Sequence, residues 1–163
     1  GWKITSRTKA PFGEMLDEGN YSASLQPLSR TMAQGPQSIS ATYGQQEVEI
    51  SVAGQTQKLA YTGALLCDGP GRNFIVSGLP LTEDYELIVN VADLNNLKVT
   101  PYRLQVVGKE KTDAGEWLRV ELSGVDNPAV ATTFWLSPES KQVQRTRQVL
   151  PELGNAVMTM TRK

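Results

Sequence analysis

Single-residue alternation of apolar and polar side chains restricts this chain more than any other feature, because a period of two belongs to a strand with one face buried. In residues 47–53, Val48, Ile50 and Val52 fall on one face and Glu47, Glu49 and Ser51 on the other. Gly54-Gln55 then supplies a tight turn, and residues 57–61 return as the second strand of a hairpin. The same reasoning predicts strands over 85–91, 98–107, 116–122, 132–136, 143–150 and 156–161. Polar turns separate them at 93–96 and 137–140, with a loop at 124–128 and a last turn around Gly154-Asn155. In 116–122 the division is clean: Leu118, Val120 and Leu122 oppose Trp117, Arg119 and Glu121. Pro101 lacks a backbone donor, which predicts an edge or bulged position for its strand. Residues 69–73 break the pattern, and 74–79 read as a short helix or turn leading into Pro80. No long stretch has a helical period. The prediction is a mostly β fold: an antiparallel curled sheet, as a half-barrel or open barrel, with one or two short helices. At 163 residues the chain is read as a single β-rich domain over 1–163, a size that buries roughly 70% of the surface its unfolded form exposes.

Composition narrows the chemistry. The chain has no histidine and one cysteine, Cys67. A Ser-His-Asp triad and a Cys-His pair are therefore impossible, and so are zinc sites built on histidine or on several thiolates. No intramolecular disulfide can form, which suits a reducing compartment or an exported protein that does without them. Cys67 follows Leu65-Leu66 and is read as a small buried side chain. A formal net charge of −1 gives no footprint for nucleic acid, and no run approaches the roughly 18 apolar residues of a membrane span. Carboxylate chemistry and a Ser-Lys pair stay open, although no motif points to either. No cofactor and no metal are expected. A chain that opens Gly1-Trp2 rather than with Met leaves room for an export signal or further domains ahead of it.

Trp117, Arg119 and Trp135 form the candidate ligand site. The two tryptophans fall on the polar faces of adjacent strands, and a hairpin centred near Asp126 sets them opposite each other, with Arg119 beside Thr133. Two indoles beside Arg119 and Glu121 suit the lining of a ligand cavity. The plainer alternative is a cross-strand aromatic pair that covers part of the sheet. Gly69-Pro70-Gly71-Arg72 lacks the Gly-Lys-Ser/Thr ending of a phosphate loop and reads as a turn. Asp68, Glu83, Asp84 and Glu86 lack the spacing of a calcium loop, and Lys141, Arg145 and Arg147 read as a solvated strand face. There is also an internal echo: a shift of about 115 residues sets Trp2 on Trp117, Ser22 on Ser137, Arg30 on Arg145 and Thr31 on Thr146, without a gap. Residues 22–30 would then be a strand–turn–strand unit like 136–146, unless both are generic hairpins.

Several of these elements recur together in one family. They are Leu79-Pro80-Leu81 followed by Tyr85, the strand 100–110, the loop 112–115, the aromatic strand 117–122, and Phe134-Trp135-Leu136-Ser137-Pro138-Glu139-Ser140 followed by strands with basic residues. Leu25-Gln26-Pro27-Leu28 matches an earlier "threonine-leucine-x-proline" turn. The pattern, over roughly residues 2–162, resembles bacterial exported proteins of domain-of-unknown-function family 3108, which in turn resemble the half-barrel of lipoprotein carriers. It departs at Asp113-Ala114-Gly115-Glu116, where that family has "proline-alanine-glycine-threonine". The resemblance implies export to the periplasm or cell envelope and carries over no catalytic residues.

The resulting expectation is a non-enzymatic envelope domain with a hydrophobic ligand, a lipid or other apolar small molecule, in the concave face of its curled sheet. The alternatives are a structural or protein-interaction module of a larger envelope protein, with an envelope protein as partner, and a carboxylate-based hydrolase. The hydrolase would need two carboxylates about 5–10 Å apart across a cleft.

Overall fold

A computed structural model of the chain describes residues 1–11 and 13–162. The fold is mostly β and antiparallel, as the alternation predicts. Its described residues form thirteen strands, one α-helix and one turn of 3-10 helix. Both sheets are open, with strand orders β1-β2-β3-β4-β5-β6 and β13-β12-β11-β10-β9-β8-β7. The chain divides into two compact units: Gly1–Arg72 with Asn90–Thr100, and Asn73–Val89 with Pro101–Lys163.

The first unit carries β1 (Trp2–Ala10), β2 (Gly13–Tyr21), β3 (Pro27–Gln34), β4 (Gln37–Tyr43), β5 (Glu47–Val52), β6 (Gln55–Ala60) and the short β7 (Ala64–Cys67). Alternation sends Tyr21, Ala41, Tyr43, Val48 and Ile50 inward, where they are buried. Each large apolar side chain so buried contributes roughly 1.5–3 kcal/mol. The β5–β6 turn lies one residue earlier than the sequence indicates. Ala53 and Gly54 both have positive φ (51° and 80°), and Gln55 already belongs to β6. A two-residue turn with two positive φ values matches the right-handed twist of the flanking strands.

The second unit is built around β10 (Gly115–Gly124), β11 (Ala131–Leu136), β12 (Val143–Leu150) and β13 (Ala156–Thr161), with most of β9 (Lys98–Thr112) and the start of β8 (Glu86–Asp93). Leu104, Val120, Leu122, Phe134 and Leu136 fill its core, with Ile75 and Val76 of the helix α1 (Arg72–Ser77). Pro101 is not on an edge strand, since β9 lies between β10 and β8. Its missing donor is accommodated because the β10 ladder ends at Tyr102, and the Pro101 carbonyl accepts from Val125 N–H at 3.1 Å. The bulge in β9 is at Val107, where the register shifts between Arg119 and Val120, and Gly108 takes the positive φ (132°) beside it.

The internal echo corresponds to a repeated meander. β1–β4 and β10–β13 are each four consecutive antiparallel strands. Each has a register shift at the end of its second strand, between Asn20 and Tyr21 in one and between Trp135 and Leu136 in the other.

Candidate functional site

In the second unit a cavity of about 540 Å³ opens between the inner sheet face and two loops. Leu118 and Leu136, directly paired across β10 and β11, contribute sheet side chains. Leu79, Pro80 and Leu81 close a second side as the chain leaves α1, and Pro138 a third from the β11–β12 turn. The helix end is tied to the sheet by Ser77, whose hydroxyl oxygen accepts from Val143 N–H at 3.0 Å while donating to the Asn73 carbonyl at 2.8 Å. Polar groups also line the cavity: Lys109, Lys141 and Glu116. Lys109 is held by Glu83 at 2.8 Å, and that hydrogen bond lowers the Glu83 pKa and raises that of Lys109. Both side chains are exposed, so solvent screens the pair. Among the described residues Glu116 is the only carboxylate lining the cavity. The volume falls in the range of small-molecule sites, which combine apolar walls with a few polar groups.

Trp117, Arg119 and Trp135 lie on the other face of these strands, and none of them lines this cavity. The register differs from the sequence expectation by two residues: Trp135 stands opposite Arg119, Glu121 stands opposite Thr133, and Trp117 pairs with Glu110 of β9. The hairpin is centred one residue later than Asp126. A shift of two residues leaves each residue on the face expected for it. Arg145, opposite Trp135 on β12, lies 4.0 Å from the Trp135 ring centre and 5.9 Å from that of Trp117. Glu110 joins the group, accepting from the Trp135 indole N–H at 2.7 Å and from Arg145 Nη2 at 3.1 Å. The indole bond lowers the Glu110 pKa; slight burial opposes this, and Arg145 and Arg119 reinforce it. Trp135 retains only 7% of its exposure beneath this cover. The indoles are therefore occupied by Arg145, a cation–π contact worth roughly 0.5–1 kcal/mol at such a site.

No protein-family model matches this chain, and no curated protein matches it.

The first unit holds a buried polar cluster. Arg30 donates from Nε to Asp17 Oδ1 at 2.9 Å and from Nη2 to Asp17 Oδ2 at 2.7 Å, with both side chains buried. Burial disfavours the charge on Arg30, but the bonds and field of Asp17 outweigh it and push its pKa up. Cys67 lies between two phenols: Tyr21 Oη donates to its Sγ at 3.5 Å, and Tyr43 Oη lies 3.6 Å away. Burial raises the Cys67 pKa, only partly offset by these phenols, and burial likewise pushes Tyr21 and Tyr43 upward. The glycines of the 69–72 loop explain this packing. A Cβ on Gly71 would lie 2.1 Å from the Tyr21 phenol, and one on Gly69 2.6 Å from the Arg30 guanidinium. The loop that resembles a phosphate cradle is a lid for Tyr21 and Arg30, its glycines there for close approach. Among the described residues no cluster of three or more His, Cys, Asp or Glu is placed to hold a metal, and no helix is long and apolar enough to cross a membrane.

The residues that line the cavity were not singled out from sequence as a site. Leu79-Pro80-Leu81 carried the one available signal, two leucines and a proline in a loop that composition alone would make polar.

Proposed function

We propose that this chain is a non-enzymatic binding domain of the bacterial cell envelope that takes a lipid or other apolar small molecule into the cavity of its second unit. The observation that carries this reading is the cavity of about 540 Å³ walled by Leu79, Pro80, Leu81, Leu118, Leu136 and Pro138. Burial of apolar ligand surface there returns about 25 cal/mol per Å² before the costs of association. The resemblance to the exported family 3108 supports the envelope assignment. Glu116 alone among the lining carboxylates does not favour hydrolysis, which needs a facing pair.

Native mass spectrometry of the freshly purified protein, with solvent extraction, tests this. The expected result is a reproducible extra mass that extracts as an apolar molecule and is lost in Leu81→Asp. A clean apo mass, with no pickup from a lipid mixture, overturns it. The second reading, a protein-interaction module of a larger envelope protein, draws on the exposed apolar side chains of β13, Val157, Met158 and Met160.

A further inference from the structure

The outermost strand of the second unit is left open in a way that the other edges are not. Sheet edges are commonly blunted by charge, proline or bulges, because their unpaired N–H and C=O groups template another strand. β1 carries Lys3, Arg7 and Lys9, and β6 carries Lys58. β7 has only four residues. β13 has six exposed residues, Ala-Val-Met-Thr-Met-Thr, with no charge and no proline, and its register with β12 is unbroken.

The backbone and both faces of β13 indicate what it can accept. Arg162 N–H donates to the Gln144 carbonyl at 2.8 Å. By antiparallel alternation Met160 and Met158 turn their backbone groups to β12, and Thr161, Thr159 and Val157 turn theirs outward. On the inner face Met160 is opposite Thr146, which is opposite the buried Phe134, so the core face runs out to the edge. Met158 and Met160 remain 39% and 46% exposed there. On the outer face Thr159 and Thr161 are opposite Arg147 and Arg145. Arg145 is held over Trp135 and to Glu110, away from β13, whereas the short Thr159 side chain leaves Arg147 clear to reach past it. Arg147 is exposed and makes no ion pair among the described residues.

We propose that β13 accepts an extended acidic segment of a partner protein as a further antiparallel or parallel strand. The segment alternates apolar residues, which cover Met158 and Met160, with Asp or Glu, one of which meets Arg147. This is β-augmentation: the main chain supplies affinity and alternate side chains supply specificity. Charge complementarity selects this occupant over a second copy, because pairing β13 with its own counterpart would bring the Arg147 side chains of both copies onto one face without an acid between them. The inference is independent of the cavity.

The test is fluorescence anisotropy with a capped peptide alternating valine and glutamate, against the same peptide with lysine for glutamate. The acidic peptide is expected to bind, more weakly as salt rises, and the lysine peptide is not. Arg147→Glu, at an exposed position that does not threaten the fold, weakens binding about tenfold. Thr159→Pro removes an outward N–H without touching the β12 ladder and abolishes binding, whereas Thr159→Val retains it. Leu81→Asp leaves binding unchanged, which separates this inference from the cavity. Failure of the acidic peptide to bind, equal binding of the lysine peptide, or indifference to Thr159→Pro and Arg147→Glu overturns the proposal. A dimer of the protein alone that Thr159→Pro dissolves assigns the edge to a second copy instead.

Discussion

The meanders β1–β4 and β10–β13 have the same strand pairing and the same bulge, yet each puts an arginine to a different use. In the first, Arg30 is buried in a bidentate pair with Asp17. In the second, Arg145 lies on the outer face over Trp135 and beside Glu110. The difference comes from one residue in a turn. Tyr21 pairs with Pro27 across residues 22–26, and Leu136 pairs with Val143 across residues 137–142. Because the second turn is one residue longer, the shift that superposes Tyr21 on Leu136 no longer superposes Arg30 on Arg145. Gly19 faces Arg30 and Phe134 faces Thr146, so Thr146, also buried, holds the position of Arg30. A one-residue offset in a strand exchanges its faces.

The sharpest way to break this comparison is to remove each carboxylate. Asp17→Ala leaves Arg30 buried without its partner and is expected to cost about 3–5 kcal/mol in a urea denaturation series. Replacing both residues, Asp17→Leu with Arg30→Met, should recover most of that loss. Glu110→Gln should move the midpoint little, because its carboxylate is open to solvent and Arg145 keeps its stacking on Trp135. Equal effects of Asp17→Ala and Glu110→Gln would mean that burial does not distinguish the two sites.

The space beneath the first meander provides the next test. Where the second meander has Phe134, the first has Gly19, and the Tyr21 phenol leans over it: a Cβ on Gly19 would lie 2.6 Å from the Tyr21 hydroxyl. Gly71 closes the other side. Gly71→Ala should therefore cost about 1–3 kcal/mol through overpacking, measured by thermal unfolding. An unchanged midpoint would mean that Tyr21 has room to move.

The same contrast explains what the sequence disclosed. Strands 143–150 and 156–161 were legible because alternation and the Gly154-Asn155 turn agree, and both match β12 and β13. β1 was not, since its side chains are mostly exposed on both faces and no periodic pattern results. β2 was hidden differently: its inward residues near the turn are Asp17, Gly19 and Tyr21, so the buried face is not an apolar one. The gapless echo gave the repeat but concealed the longer turn, and with it the opposite facing of Arg30 and Arg145. The cavity joins a loop after α1 to a turn more than fifty residues later, a proximity that local periodicity does not encode.

The two clusters should also respond to opposite ends of the pH scale. Cys67, Tyr21 and Tyr43 have raised pKa values when folded. Their contribution is complete below the unfolded values, about 8.5 for the thiol and about 10 for the phenols, and is lost as pH rises. Stability should begin to fall above roughly pH 8.5, from the thiol first, and more steeply above about pH 10 as the phenols add to it. Glu110 has a lowered pKa. Its contribution is present above the usual carboxylate value of about 4.3 and lost as pH falls through the folded value. Denaturation midpoints across pH check both arms, and a thiol reagent should label Cys67 only on unfolding. Labelling of the native protein at mildly alkaline pH would contradict the burial of Cys67.

The smallest expected effect concerns the two turns. Each contains a non-glycine residue with positive φ, Leu25 at 65° and Lys141 at 53°. Each returns its N–H to the carbonyl of the serine that opens the turn, Ser22 at 3.1 Å and Ser137 at 2.8 Å. The left-handed region costs a residue with a Cβ roughly 1–2 kcal/mol, and glycine avoids this at an entropic cost of roughly 0.5–1 kcal/mol. Lys141→Gly should therefore stabilise by up to about 1 kcal/mol. Leu25→Gly should gain less, because the half-buried leucine also loses contact area. If Leu25→Gly instead gained more, its side chain would be contributing nothing to the shorter turn, and strain alone would set the difference between the two.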